Sequence, residues 1–350
     1  MVETQNQGFE RRSPARFRGL SEEERIESVS RTGRLPRGVS VVVPVHGTGD
    51  ALAELVGRVG SVLGGAPGRP WEIILINDGS PESCWRRIEE LARSQRNVRG
   101  IDLMRNYGQH NALLCGLRAA VYDTTITLDD DLQHPPEEIP KLLALREEGW
   151  DVVYGTPARQ RQPFWRKLAS TLIRVALAGS IGWKRARSVS AFRAVRTESR
   201  RAFADFRGPF VSLDVLLSWS TDRAAQVEVR HEARKSGASG YSFWKLASHA
   251  ADMMTGFSAW PLRLASVVGF GFTLFGLAVL AYVIIRYLIA GGSVPGFPFL
   301  ASIIAIFSGA QLFALGIIGE YLARMHFRSM ERPVYVVRGT TPEGSSEDRP

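Results

Sequence analysis

The chain has 350 residues and carries 44 Lys and Arg against 35 Asp and Glu, a net charge of +9, with 45% hydrophobic and 23% charged residues. That balance is ordinary for a globular protein and excludes wholesale disorder, collagen and coiled coil, while the length allows one large or two moderate domains. Charge is spread through residues 1–263 and almost vanishes from 264 to 319, so the basic surplus points to a membrane surface before nucleic acid.

Residues 1–37, rich in Arg, Glu, Ser and Gly without a sustained apolar period, are expected to be a disordered basic extension. They contain no apolar core of a signal peptide, so the globular part is expected on the cytoplasmic side. The two cysteines, Cys84 and Cys115, belong to no CxxC or Cys/His cluster, which argues against a disulfide framework or structural zinc and fits a reducing compartment.

After Pro36 the β-branched run Val41–Val45 predicts a buried strand that ends in a loop, and Ile73–Ile76 predicts another that ends in Asn77-Asp78-Gly79-Ser80. Helical spacing covers Leu52–Leu63 and Cys84–Ser94. Further strands fit Val98–Leu103 and Thr125–Leu128, the last running into Asp129-Asp130-Asp131. Strands alternating with helices predict a parallel α/β sheet, in which ligands sit beyond the carboxyl ends of the strands. Each predicted strand end carries polar or acidic residues, so topology and candidate site coincide.

Leu264–Ile285 is 22 residues without a formal charge, about 33 Å as a helix and long enough for a bilayer core. A second uncharged stretch, Tyr287–Gly319, follows the lone Arg286 and is interrupted near Gly291–Pro298. The pattern predicts a hairpin of transmembrane helices at about 264–288 and 299–321, a pair of buried core helices being the alternative. Arg263 before the hairpin, and Arg324, His326, Arg328 and Arg332 after it, place both ends in the cytoplasm, with 324–350 as a cytoplasmic tail. The segments Phe164–Trp183 and Tyr241–Trp260 mix basic and apolar residues at helical spacing. They read either as helices lying on the membrane, with 241–263 juxtamembrane, or as ordinary amphipathic core helices.

The acidic stretch Asp129-Asp130-Asp131-Leu132-Gln133-His134-Pro135-Pro136 is the most informative. Three carboxylates at a strand end repel one another, a cost that a divalent cation removes, and hard oxygen ligands at alternate positions suit Mg²⁺ or Mn²⁺ beside phosphate. An acidic loop tip without a role is the bland alternative.

Val42-Val43-Pro44-Val45, Asn77-Asp78-Gly79-Ser80, Arg105-Asn106-Tyr107-Gly108-Gln109-His110 and Asp129-x-Asp131-Leu132-Gln133-His134-Pro135-Pro136 stand in the order and spacing of family 2 glycosyltransferases of GT-A fold, which the chain resembles from about residue 38 to 336. More narrowly it is similar to the membrane-attached polyprenyl-phosphate glycosyltransferases, through Arg234-x-x-Gly237-x-Ser239-x-Tyr241, Pro261-Leu262-Arg263 and Gly319-Glu320-Tyr321. The resemblance implies a GT-A domain over 38–240, a two-helix hairpin over 264–323, and a nucleotide-sugar pocket lined by Pro44, Val45 and Asp78. Arg105 and Asn106 would support that pocket, or only stabilise their own loop. Asp129, Asp130, Asp131 and Gln133 would bind donor diphosphate, with Asp129, Asp131 and Gln133 on the Mg²⁺ or Mn²⁺. Arg234, Ser239 and Tyr241 would face phosphate or acceptor, Arg being suited to bidentate oxyanion contacts. Asp214 is the remaining acid eligible as a base or acceptor-site group, a helix-surface carboxylate being the alternative.

Four positions depart from the family pattern. His46-Gly47-Thr48 replaces Tyr-Asn-Glu, Asn77-Asp78 replaces paired aspartates, Ala191 replaces an acid before Phe192-Arg193, and Gly240 replaces a Lys. The reaction implied is an inverting transfer from a UDP- or GDP-sugar to a polyprenyl phosphate at the inner or plasma membrane, by a homo-oligomer, a tetramer in related proteins, with Val334–Val337 as an intersubunit strand. A processive polysaccharide synthase and a non-catalytic scaffold are the competing readings. The first lacks a Gln-x-x-Arg-Trp motif and has too few helices for a polymer channel.

Overall fold

The computed structural model describes residues 35–65, 68–157, 189–208, 211–232, 260–290 and 296–342. The expected extension over 1–34, the amphipathic segments 164–183 and 241–259, and the tail beyond 342 lie outside the described residues.

The elements follow in the order β1 (Val39–Val45), α1 (Leu52–Gly64), β2 (Trp71–Asn77), α2 (Glu82–Ser94), β3 (Val98–Leu103), α3 (Gln109–Ala119) and β4 (Thr124–Thr127). After a 3₁₀ turn at Pro136–Glu138 come α4 (Ile139–Glu147), β5 (Val152–Pro157), β6 (Arg193–Arg196), α5 (Leu213–Ser220) and β7 (Ala224–Val229). All form one eight-stranded sheet in the order β7-β5-β6-β4-β1-β2-β3-β8, the last strand being β8 (Val337–Thr340). The central strands β3, β2, β1 and β4 are parallel. Antiparallel β6 inserts beside β4, and β8 closes the opposite edge antiparallel to β3.

Every residue of β1 is buried, which is why its sequence is a continuous β-branched run rather than an alternation. Its two faces feed two cores. Val41, Val43 and Val45 pack with α1 and α2, while Val42 packs with α3 and α5. The carboxyl ends of β1, β2, β3 and β4 therefore open on one edge of the sheet. Strand order reverses between β1 and β4, the position at which open α/β sheets form a crevice.

Two long helices follow, α6 (Trp260–Ala290) and α7 (Phe297–Ser329). Both are long and apolar enough to cross a membrane, over Leu262–Ile289 and Ile306–Ser329, and neither window is buried in the protein. Phe272 and Phe275 of α6 meet Phe307 of α7. Each helix runs beyond its predicted span, since propensity continues past the apolar stretch into Arg324–Ser329. The buried-core alternative for the pair is corrected, because side chains such as Leu288, Ile289 and Leu312 are exposed. A tight turn at Glu331, with φ 48°, sends the chain back to the sheet. The strand expected at Val334–Val337 is displaced to Val337–Thr340, and in this chain it pairs with its own β3.

Candidate active site

β1 delivers Pro44 and Val45, both buried, to the floor of the crevice and His46 to its rim. β2 delivers Asp78, whose amide donates to the Val45 carbonyl at 3.0 Å. The Asp78 carboxylate is 3% exposed and accepts from the backbone N–H groups of Tyr107 at 2.7 Å and Gly108 at 2.9 Å. Burial raises the Asp78 pKa and these two hydrogen bonds oppose the rise. Gly79 is required here. Its φ is +66°, and a Cβ would meet the Asn106 amide nitrogen at 2.3 Å, so only glycine lets the turn approach the 105–108 loop.

The exposed side chains of that loop form the crevice wall. The Asn106 amide lies 3.4 Å from the His46 ring, and the Arg105 guanidinium lies over the Tyr107 ring at 4.8 Å. Ser80 joins the two strand ends, its hydroxyl donating to the Val45 carbonyl and accepting from the Gly47 amide, each at 3.2 Å.

β4 delivers the acids. Asp129 accepts from the Gln109 side-chain amide at 2.6 Å, Asp130 accepts from the His46 amide at 3.2 Å, and Asp131 accepts from the Gln133 amide at 3.1 Å. Between them Leu132 takes a left-handed backbone, φ 58°, with its side chain 1% exposed in the core. The plug holds a conformation that a bulky residue otherwise avoids. Burial, then repulsion from Asp131 and Asp130, pushes the Asp129 pKa up to about 6. Among the described residues no three His, Cys, Asp or Glu side chains converge as a closed metal cage. The donor set is instead two crowded carboxylates with a neighbouring amide, a partial shell of hard oxygens that fits a cation sharing its remaining positions with phosphate and water.

Arg234, Ser239 and Tyr241 lie outside the described residues, but the chain leading to them is tied to the acidic loop. The Glu232 amide donates to the Gln133 carbonyl at 2.8 Å, Arg230 pairs with Glu138 at 2.7 Å, and the His231 ring stands edge-on to His134 at 5.0 Å. The His134 pKa falls to about 4, chiefly through burial and then through His231.

The helix-surface alternative for Asp214 is corrected. Its carboxylate is 4% exposed, pairs with the Arg193 guanidinium and accepts from Tyr154 Oη at 3.2 Å, while Arg193 also donates to Thr127 Oγ1 at 3.1 Å. The pair lies directly behind β4, because Arg193 stands opposite Thr127 in the β4/β6 register. Sequence reasoning assigned no role to Gln109, His46 or Arg193. Gln109 and His46 stand in or beside motif segments, whereas the Arg193 partnership joins residues far apart in sequence.

An α/β sheet with an acidic loop at its switch point, facing a carboxylate clasped by backbone amides, is the arrangement of a nucleotide-sugar-dependent transferase of GT-A type. Residues 40–205 match the family described as Glycosyl transferase family 2. Relatives named undecaprenyl-phosphate 4-deoxy-4-formamido-L-arabinose transferase are 37% identical over 304 residues in Proteus mirabilis and 35% identical over 319 residues in Klebsiella pneumoniae. These matches cover 86% and 89% of this chain, and 93% and 97% of the relatives. The chain belongs to the family 2 glycosyltransferases. Among solved structures, glucosyl-3-phosphoglycerate synthase from Mycobacterium tuberculosis is similar at a TM-score of 0.48 and 17% identity, over 68% of this chain and 83% of that one.

Proposed function

We propose that the chain transfers a sugar from a UDP- or GDP-sugar to a polyprenyl phosphate held in the membrane, with inversion at the anomeric carbon. The observation that carries this reading is the acidic loop at the switch point, in a sheet continuous with two membrane-length helices and in a chain matching undecaprenyl-phosphate transferases along nearly their whole length. In this reading Pro44, Val45 and Asp78 receive the nucleoside, and Arg105 and Asn106 border it. Asp129, Asp131 and Gln133 would hold Mg²⁺ or Mn²⁺, with Asp130 alongside. The cation would neutralise charge developing on the departing diphosphate.

The acceptor is a phosphate monoester with a second pKa near 6, already ionised at neutral pH, so no strong base is demanded. Asp214 then supports the acid-bearing strand through Arg193 and Thr127 rather than taking a proton. Arg234, three residues beyond the tethered His231, is the oxyanion ligand of this scheme, with Ser239 and Tyr241 on the acceptor side. Both chain ends face the cytoplasm at an inner or plasma membrane, and the protein works as a homo-oligomer. Anomer analysis of the lipid product tests the chemistry. An inverted linkage is expected, and a retained one overturns single displacement.

A further inference from the structure

Asp102, at the carboxyl end of β3, belongs to neither the acidic loop nor the nucleoside clasp, yet it is only 4% exposed. One of its oxygens accepts from Asn77 Nδ2 at 2.7 Å. The other faces the guanidinium of Arg338, on β8, at 3.3 Å. A carboxylate only accepts hydrogen bonds, so it fixes which way the Asn77 amide points. Asn77 Oδ1 is thereby turned toward Ser80, whose amide donates to it at 3.2 Å. Ser80 in turn ties the β2 turn to the exit of β1. Arg338 makes a second contact at the same place, donating from Nη2 to the Met104 carbonyl at 2.7 Å, while the Met104 amide donates to the Val336 carbonyl at 2.9 Å. Met104 is the residue from which the 105–108 loop departs, the loop whose amides clasp Asp78.

We propose that Arg338 is a positioning residue for the donor pocket: it holds the Asp78-Gly79-Ser80 turn through Asp102 and Asn77, and the 105–108 loop through the Met104 carbonyl. Burying Asp102 without its countercharge is costly, so loss of the guanidinium lets the carboxylate turn toward water, and the Asn77 amide loses its fixed orientation. Residues 330–336 alone separate α7 from β8, so this relay links the end of the membrane hairpin to the wall of the donor site. The inference rests on the glycosyltransferase reading only in calling that wall a donor pocket.

The test uses the full chain in lipid nanodiscs and reads hydrogen exchange over 77–80 and 104–108, with titration of UDP and GDP as a second readout. Arg338→Gln is expected to raise exchange in both segments and weaken nucleotide affinity by about tenfold, the loss of one charge-assisted contact. Asp102→Asn keeps an acceptor for Asn77 and needs no countercharge, so the double variant D102N/R338Q is expected to return exchange over 77–80 close to wild type, while 104–108, still without the Arg338 contact to the Met104 carbonyl, stays raised. Thr341→Val removes the hydroxyl that accepts from the Gly100 amide at 2.8 Å, at the far end of the β8 contact. It loosens the strand without touching the relay and is expected to leave both segments protected.

Unchanged exchange in Arg338→Gln, no suppression over 77–80 by Asp102→Asn, or equal exposure in Thr341→Val would each overturn the relay. Failure of the wild-type chain to bind either nucleotide would count against the donor reading alone, because the exchange data still decide the relay.

Discussion

Replacing Asp78 with Ala and with Asn separates its two structural duties. In the wild type, Tyr107 N–H finds its partner in this carboxylate, whereas Gly108 N–H also has the Asn106 side-chain oxygen at 2.9 Å. Ala therefore orphans one buried donor outright and halves the coordination of another, a cost of about 2 kcal/mol. Asn keeps a carbonyl oxygen for Tyr107 and removes a charge that burial disfavours, so its stability is expected within about 1 kcal/mol of wild type. The sign with pH follows from the raised Asp78 pKa. The folded state binds this proton more tightly than the unfolded chain, so the side chain's contribution is full below the unfolded pKa of about 4 and declines as pH rises through the folded value. The stability of Asp78→Asn relative to wild type should thus improve from pH 4 toward pH 7. Thermal unfolding by tryptophan fluorescence, with parallel nucleotide titration, checks both. Asp78→Ala unfolding at the wild-type temperature with unchanged nucleotide affinity would refute the clasp.

Glu72, at the opposite end of the sheet, accepts from Ser40 Oγ at 2.6 Å, Val121 N at 3.0 Å and Arg99 Nε at 2.8 Å. Glu72→Ala strands a largely buried guanidinium and should cost about 3 kcal/mol in denaturant unfolding, without a change in nucleotide affinity of the remaining folded protein. Leu132→Gly relieves roughly 1 kcal/mol of left-handed strain but deletes a buried side chain worth about 2–5 kcal/mol, so a net loss is expected and a gain would show that the plug does not anchor the loop. Burial pushes the Cys115 thiol to about 11, leaving about one thiolate in a thousand at pH 8, so alkylation of the folded chain should run roughly two hundredfold slower than in urea. Comparable rates in the two states would contradict that burial.

The sheet was legible because β1 and β2 are short apolar runs, because β1 to β4 each lead into a loop of polar or acidic residues, and because a buried parallel strand needs no alternation to be recognised. The hairpin was legible from charge depletion alone, though not its full length, since helix propensity continues beyond the bilayer-length segment. Of the site, Asp78, Asn106 and the Asp129–Gln133 loop were readable from motif spacing and converge on one edge of the sheet. Several features escaped because they depend on register. Arg193 meets Asp214 only because antiparallel β6 sets it opposite Thr127, and Asp102 meets Arg338 only because β8 returns to β3 across more than two hundred residues. Ser80 and Asn77 read from the sequence as a turn, and their role as a joint between β1 and β3 follows from which strands lie side by side.

The central claim is most directly tested by transfer of radiolabelled sugar from a panel of UDP- and GDP-sugars into organic-extractable lipid, with the purified full chain, undecaprenyl phosphate and Mg²⁺ or Mn²⁺, alongside Asp131→Ala. The account predicts label in the lipid phase that requires the cation and disappears in Asp131→Ala. Lipid label that persists in Asp131→Ala, or no label from any donor with a folded, nucleotide-binding protein, would contradict it.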